Sequence, residues 1–153
     1  MSEQSAQQAT LTAPHVLEYT YTRSVGPVIG MFLGGLRECR ILGVKTEDGR
    51  VLVPPQEYDP ETGDSVRDEF IEVGPSGVVR TWAWVAQPRP HHPLDRPFAW
   101  GLIQLDGADT SLLHAVDAGD ETRMRTGARV RVRWREETLG EIHDIACFEL
   151  EDA

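Results

Sequence analysis

Two histidines and two arginines lie close together in the segment 87–97, which reads Gln-Pro-Arg-Pro-His-His-Pro-Leu-Asp-Arg-Pro. Its prolines remove backbone donors and stiffen the chain, so we expect a projecting loop rather than a strand. Guanidinium groups suit phosphates and carboxylates. We therefore take Arg89, His91, His92 and Arg96 as candidate contacts to an anionic ligand or a partner protein. The alternative is a solvated surface loop without a ligand.

Metal binding is disfavoured for the acidic and imidazole groups of this sequence. Adjacent side chains on a proline-rich loop point apart, which argues against a site made of His91, His92 and Asp95. The acidic turn at 59–64 offers Asp59, Glu61 and Asp64 but lacks the ligand spacing of an EF-hand. We therefore predict no metal site.

A second group of cations lies on one predicted strand, at 128–136. Arginines alternate there with Val130, Val132 and Trp134, and a period of two sends the arginines to one face and the apolar residues to the other. Arg131 and Arg133 are candidate contacts to a phosphate or an acidic partner surface. The alternative is a solvated face that neighbouring glutamates neutralise.

No residue of the sequence is predicted to be catalytic. The chain has no Gly-x-Ser-x-Gly elbow, no phosphate-binding glycine loop and no His-Glu-x-x-His motif. Cys39 follows a predicted helix, whose dipole opposes a thiolate there, and Cys147 lies in an apolar strand. His114 lies mid-strand between apolar residues, which is typical of a hydrogen-bonded structural histidine.

The charge balance disfavours nucleic acid as a partner. Fifteen Lys and Arg against 25 Asp and Glu give a net charge of −10, and such a surface repels phosphates. Trp82, Trp84 and Trp100 are more typical of a barrel interior or an interface than of a base-stacking platform. The longest apolar stretch, 26–36, is too short for a membrane helix. Without a signal-peptide core, we expect a cytoplasmic protein with two free thiols.

The sequence indicates three regions: a disordered tail at 1–14, an N-terminal unit at 15–66 and a β domain at 67–153. The tail has no apolar period. At the start of the N-terminal unit, apolar residues at period two, Leu17 and Tyr19 among them, predict an extended arm that can reach a partner.

A helix of about three turns is expected to begin near Gly26, because Pro27 suits its first turn. Gly26, Gly30 and Gly34 recur at intervals of four, and we interpret this stripe as close packing within the chain rather than between subunits. Two short strands, at 41–44 and 50–53, then form a hairpin around a turn that ends at Gly49.

Strand-like segments then recur at short intervals, with one helical insert before the last two. Five strands with a helix after the third is the order of a Greek-key OB barrel. We therefore predict a mainly β fold, in which a helix and a hairpin subdomain precede a five-stranded OB-fold barrel. The segments are 70–73, 78–87, 98–106, 110–116, 128–136 and 142–150, and the insert is 118–127.

The stretch 34–42, Gly-Leu-Arg-Glu-Cys-Arg-Ile-Leu-Gly, continues through Asp-Gly-Arg-Val-Leu-Val-Pro-Pro at 48–55. With the element order, it resembles the family of acyl-CoA-associated accessory proteins in which a small zinc ribbon precedes an OB-fold. The resemblance runs from about residue 30 to 150.

In that family each knuckle is a Cys-x-x-Cys-Gly turn, whose thiolates bind zinc. The matching positions here carry no cysteine, so we expect a metal-free remnant of the ribbon, stabilised by packing or by a partner. Those positions hold Lys45, Asp48 and Gly49 in the first knuckle, and Asp59, Thr62 and Gly63 in the second.

The resemblance also implies a role, because members are non-catalytic companions of thiolase-superfamily enzymes. These include lipid-transfer-protein-type thiolases and retro-aldolases of sterol side-chain degradation. It implies that this chain joins such a subunit in a heterotetramer and completes the acyl-CoA site of that subunit. It also implies that this chain binds no cofactor by itself. The loop 87–97 would then line the mouth of a CoA channel. The alternatives are a stand-alone OB module for single-stranded nucleic acid and an independent acyl-CoA hydratase or thioesterase, for which we find no base.

Overall fold

The computed structural model describes residues 12–22 and 24–151. Most of the tail predicted at 1–14 therefore lies outside the described residues. Residues 12–22 form neither helix nor strand, and all of their side chains are exposed, including Leu17, Tyr19 and Tyr21. No helix in the described ranges is both long and apolar enough to cross a membrane.

The predicted helix is present as α1, Pro27–Arg37. It buries Phe32 and Leu36 in the core, and Pro27 in its first turn and Arg37 in its last suit the helix ends. The interpretation of the glycine stripe as packing within the chain is wrong at Gly30 and Gly34, although a Cβ on Gly26 would lie 2.7 Å from Oε1 of Glu57. A Cβ on Gly34 would meet no atom within 4 Å, whereas a Cβ on Gly35 would lie 2.9 Å from Cγ of Leu42. Gly35, one residue along, is the position where the hairpin approaches closely.

Three short strands form a sheet beside α1: β1 at Ile41–Lys45, β2 at Val51–Leu52 and β3 at Phe70–Val73. The strand order is β2-β1-β3, and both pairings are antiparallel. Gly49 ends the β1–β2 turn with φ 90°, a conformation that favours glycine. The predicted hairpin is therefore present, and its likeness to a zinc ribbon remains a prediction.

Arg50 joins the two turns that were predicted as knuckle remnants. Its Nε lies 2.8 Å from Oδ2 of Asp48 in the first turn. Its Nη2 lies 2.6 Å from Oδ2 of Asp59 and its Nη1 2.9 Å from Oε1 of Glu61, both in the second turn. Asp59 is only 4% exposed, and a buried carboxylate needs such a partner. One guanidinium thus connects both turns, while Lys45 pairs instead with Glu69.

The predicted five-stranded barrel is confirmed. It consists of β4 at Ser76–Val85, β5 at Phe98–Leu105, β6 at Leu112–Asp117, β7 at Arg129–Trp134 and β8 at Ile145–Leu150. The strands close in the order β4-β5-β6-β8-β7, and β6 and β8 are parallel.

Two details of the barrel differ from the sequence prediction. The insert expected to be a helix at 118–127 contains one 3₁₀ turn, Glu121–Arg123, which Asp120 caps through the backbone N–H of Thr122. The last strand was predicted from residue 142 but begins at Ile145, because Ile142–Asp144 form another 3₁₀ turn. Both turns are short because the backbone is already extended at the residue that follows each of them, Met124 and Ile145.

The N-terminal sheet and the barrel share one hydrophobic core. Phe32 and Val53 belong to the same buried cluster as Ile103 and Phe148 of the barrel. Polar contacts join the same two parts, because Val51 exchanges two hydrogen bonds with Asp109, which lies between β5 and β6. These contacts fix the position of the sheet beside the barrel.

The change Arg50→Met should lower the melting temperature, because it leaves Asp59 buried without its cation. The control Arg80→Met removes an exposed arginine that hydrogen-bonds the neutral Gln104 and should have little effect. Thermal unfolding followed by circular dichroism measures both. Chelator should change neither melting temperature, since we expect no zinc. Equal effects of the two changes would contradict the importance of the Arg50 contacts.

Acid should weaken the first turn through Asp48. Hydrogen bonds from the Thr46 hydroxyl and then from Arg50 lower the pKa of Asp48 to about 2. Because this pKa is depressed in the folded state, the stabilisation is fully present above pH 3.8, the ordinary value, and is lost as the pH falls through about 2. Unfolding curves from pH 5 to pH 2 should therefore show a smaller loss of stability for Asp48→Asn than for the parent chain. An identical loss would contradict this assignment.

Candidate functional site

The loop between β4 and β5 folds back onto the outside of the barrel instead of projecting freely. Leu94 is buried in a small cluster with Phe98, Ala115 and Cys147, which lie on three barrel strands. The apolar Leu94 thus anchors the proline-rich segment, and the expectation of a freely projecting loop is corrected. In OB-folds, the loops joining strands one to two and four to five border the ligand-binding face, and this loop is the first of these.

The two adjacent histidines have different surroundings. The ring of His92 contacts Phe98 edge-on at 5.5 Å and Trp100 at 6.3 Å, and its Nδ1 accepts a hydrogen bond from the backbone N–H of Arg89. His92 therefore helps to hold the loop on the barrel. His91 and the side chain of Arg89 are exposed.

Two of the predicted arginines come together around one carboxylate. Arg96, from the loop, hydrogen-bonds Asp117 at the end of β6, and this bond raises the pKa of Arg96. Arg133, from β7, lies 4.0 Å from the same carboxylate and 2.7 Å from Oε1 of Glu149 on β8. The sequence does not indicate that the two arginines are neighbours. They meet because the folded barrel brings the β4–β5 loop next to the parallel strands β6 and β8.

The arginines at alternate positions from 129 to 135 form a row, and the other members of this row are neutralised unevenly. Arg129 pairs with Asp106 through two bonds of 2.7 and 2.6 Å, and Arg131, which is mostly exposed, lies 3.8 Å from Glu151. Arg135, at the end of the row, donates from Nε to the backbone carbonyl of His143. In the part of the chain that the structure describes, Arg135 is the member of the row with no carboxylate partner. This pattern supports a solvated face for the first three arginines and sets Arg135 apart.

Asp117, Cys147 and Glu149 bring three ligand-type atoms within 4.8 Å of one another, but their chemistry does not suit a metal. Burial raises the pKa of the Cys147 thiol to about 11, so the thiol is protonated at neutral pH. The two carboxylates are occupied by Arg96 and Arg133. The trio is therefore part of an ion-pair cluster.

A cleft of about 280 Å³ opens on the outer face of the barrel, beside these residues. Its walls come from the β4–β5 loop, from β5 and β6, and from the segment that joins β7 to β8, which together form the usual ligand face of an OB-fold. Of its lining residues, only His91 is among the ligand contacts predicted from the sequence. The lining residues are His91, Pro93, Trp100, Leu113, His114, Arg135, Ile142, His143 and Ile145.

His114 forms part of the cleft wall and is only 7% exposed. Burial lowers the pKa of this histidine, so it is neutral at pH 7. Its Nδ1 has no hydrogen-bond partner among the described residues. The structural role predicted for His114 is thus supported by its burial, by its edge-on contact with Phe148 and by the backbone hydrogen bonds with Ala115 and Ile142 that act on its pKa.

The segment between β7 and β8, which forms one wall of the cleft, is held firmly. The buried carboxylate of Asp144 accepts hydrogen bonds from the backbone N–H groups of Leu139, Gly140 and Glu141. Arg37 at the end of α1 donates to the carbonyl of Leu139 at 2.9 Å. The cleft wall is therefore fixed to both the barrel and the helix.

The fold and the position of the cleft define an OB-fold domain with an N-terminal helix and sheet. Residues 70–135, from β3 to just past β7, match the family described as "ChsH2, C-terminal OB-fold domain". The family resemblance seen in the sequence is thereby confirmed. No curated protein matches the sequence.

Two solved structures share the fold. One is a protein of unknown function from the DUF35 family of Sulfolobus solfataricus, with a TM-score of 0.60 and 19% identity over 82% of this chain and 83% of the other. The other is the Ltp2-ChsH2(DUF35) aldolase, with a TM-score of 0.60 and 15% identity over 84% of this chain and 97% of the other. The coverage shows that the likeness includes the N-terminal part as well as the barrel.

The two thiols should differ in reactivity. Cys39 is exposed and Cys147 is buried, and the raised pKa of Cys147 leaves about one thiolate in a thousand at pH 8. Ellman's reagent should therefore modify one thiol quickly in the folded chain and both thiols in urea. In Cys39→Ser the fast phase should disappear. A fast phase that persists in this variant would contradict the burial of Cys147.

Proposed function

We propose that this chain is a non-catalytic accessory subunit that binds a thiolase-like enzyme and completes its acyl-CoA site. The partner would be a lipid-transfer-protein-type thiolase, acyltransferase or retro-aldolase of lipid or steroid side chains, and the assembly a cytoplasmic heterotetramer. The observation that carries the proposal is the ChsH2-type OB domain together with the fold shared with the Ltp2-ChsH2(DUF35) aldolase. The name of that structure itself describes a two-component aldolase.

The chemistry of the buried groups supports a non-catalytic role. Burial keeps the thiol of Cys147 protonated and His114 uncharged, so neither resembles an activated nucleophile or a base poised near neutral pH. Asp117, Arg96 and Arg133 neutralise one another. A partner that supplies the reacting groups is consistent with these surroundings.

Exposed apolar side chains support an interface at the N-terminal part of the chain. Large apolar residues are costly to leave in water when they cluster, and such clusters mark binding surfaces. The arm contributes four of these side chains. One more lies in α1, one lies just before the helix, and one lies beside the second turn. These residues are Val16, Leu17, Tyr19, Tyr21, Val25, Met31 and Tyr58.

Assembly can be tested by mixing this chain with a thiolase-like subunit encoded in the same genome. We expect a stoichiometric complex in size-exclusion chromatography and a partner whose turnover depends on this chain. The triple change Leu17→Ser, Tyr19→Ser and Tyr21→Ser should weaken assembly at least about tenfold, because it removes apolar contact area. Leu139→Ser, which changes an equally exposed leucine on the barrel, is the matched control.

A partner that is fully active alone and shows no association at micromolar concentration would overturn the proposal. Within the complex, Arg131→Gln combined with Arg133→Gln should weaken assembly or CoA binding in a salt-dependent manner if these arginines hold a phosphate or an acidic surface. Retention on single-stranded DNA would instead favour the OB module that binds nucleic acid, and turnover by the isolated chain would favour an enzyme.

A further inference from the structure

One cation without a carboxylate partner, Arg135, lines the outer-face cleft. Arg135 uses Nε for the carbonyl of His143, and its two terminal amino groups have no protein partner in residues 12–22 and 24–151. Two histidines, His91 and His143, line the same cleft, and Nδ1 of His143 lies 3.9 Å from Oε1 of Glu141. In a chain with a net charge of −10, a cation left unpaired beside a concave surface is unusual, because carboxylates are abundant.

The rest of the cleft surface is apolar. Leu113 is 58% exposed and Ile142 38% exposed, and both line the cleft with Pro93 and the half-buried Trp100. Leu113 lies on β6 opposite Leu102 of β5, so the apolar surface extends from the cleft along the sheet. An aromatic or aliphatic group can therefore rest on this floor while a polar group reaches the cationic edge.

The unpaired Nδ1 of His114 provides an independent mark of the same place. Buried polar atoms without partners are rare in folded proteins and are costly, by about 1–3 kcal/mol. Here the atom belongs to a residue in the cleft wall.

We infer that this cleft binds a small amphipathic anion, namely a carboxylate or a phosphate monoester carried on an apolar or aromatic body. The anionic group contacts Arg135, flanked by His91 and His143, and the body rests on Trp100 and Leu113. The volume is at the small end of ligand pockets, which run from about 300 to 1,000 Å³, and suits one ring or a short chain. The site lies wholly within this chain, so it goes beyond the proposed function and requires no partner.

The test is a titration of the isolated full-length chain followed by ¹H–¹⁵N NMR. The probes are phenyl phosphate, phenylacetate, the neutral benzyl alcohol and inorganic phosphate. At least one of the two aromatic anions should shift the indole N–H of Trp100 and the amides of His91, Leu113 and His143 in a saturable manner, with a Kd near 1 mM or below, as expected for about ten heavy atoms. Benzyl alcohol and inorganic phosphate should each bind at least about tenfold more weakly. The ratio of the two anions then identifies the preferred group, phosphate or carboxylate.

Matched variants separate the cleft from general charge effects. Arg135→Gln should weaken binding of the preferred anion about tenfold, whereas Arg80→Gln, which changes an exposed arginine on β4 outside the cleft, should leave it unchanged. Leu113→Asp, a second variant that adds a negative charge beside the floor, should abolish binding. The spectrum of each variant verifies its fold.

Three outcomes would overturn the inference: shifts that do not centre on the cleft, equal binding of benzyl alcohol, or equal weakening by Arg80→Gln. Because the experiment contains no partner subunit, its failure leaves the proposed assembly untouched. A failure of assembly likewise leaves this binding site untouched.

Discussion

One continuous hydrophobic core holds the N-terminal helix and sheet against the barrel. Its members come from both parts, with Leu36 and Val53 on one side and Ile103 and Phe148 on the other. Burying such side chains contributes about 1.5–3 kcal/mol each, far more than any surface ion pair. The loops that form the outer-face cleft can be irregular because this core fixes the strands from which they emerge.

Most cations of this chain have carboxylate partners, because the 25 acidic residues outnumber the 15 Lys and Arg. Arg50 is surrounded by three carboxylates, and Arg129 and Arg133 each pair with acidic side chains from neighbouring strands. Such pairs fix geometry more than they add stability when they lie at the surface. The cations that escape this neutralisation are therefore the informative ones, and Arg135 is one of them.

The sequence was sufficient to predict elements whose pattern is local. The alternation of arginine with Val130, Val132 and Trp134 identified β7, and the Gly26–Pro27 pair identified the start of α1. The glycine stripe misled because spacing alone does not say which helix face is covered, and the sheet covers the face of Gly35. The insert at 118–127 misled because its order of charges suggested a helix. In the structure, the 3₁₀ turn that Asp120 caps ends at Arg123.

The candidate site was only partly accessible to sequence reasoning. Residues that lie near each other in the chain, such as His91 and Arg96, were grouped together, yet the fold sends them to different neighbours: His91 to the cleft and Arg96 to Asp117. The cleft itself joins residues from segments that are more than 40 positions apart. Only His143, which follows a turn rich in Gly and Glu, gave a local signal that could have drawn attention to the β7–β8 segment.

The cleft and the exposed N-terminal surface are mechanically connected through α1. Arg37 at the helix end donates to Leu139 and accepts from Thr138 through its carbonyl, and both lie in the segment that walls the cleft. The outer face of the same helix carries the exposed Met31. A protein that covers this face would therefore lie on the helix whose last residue is hydrogen-bonded to the segment that walls the cleft.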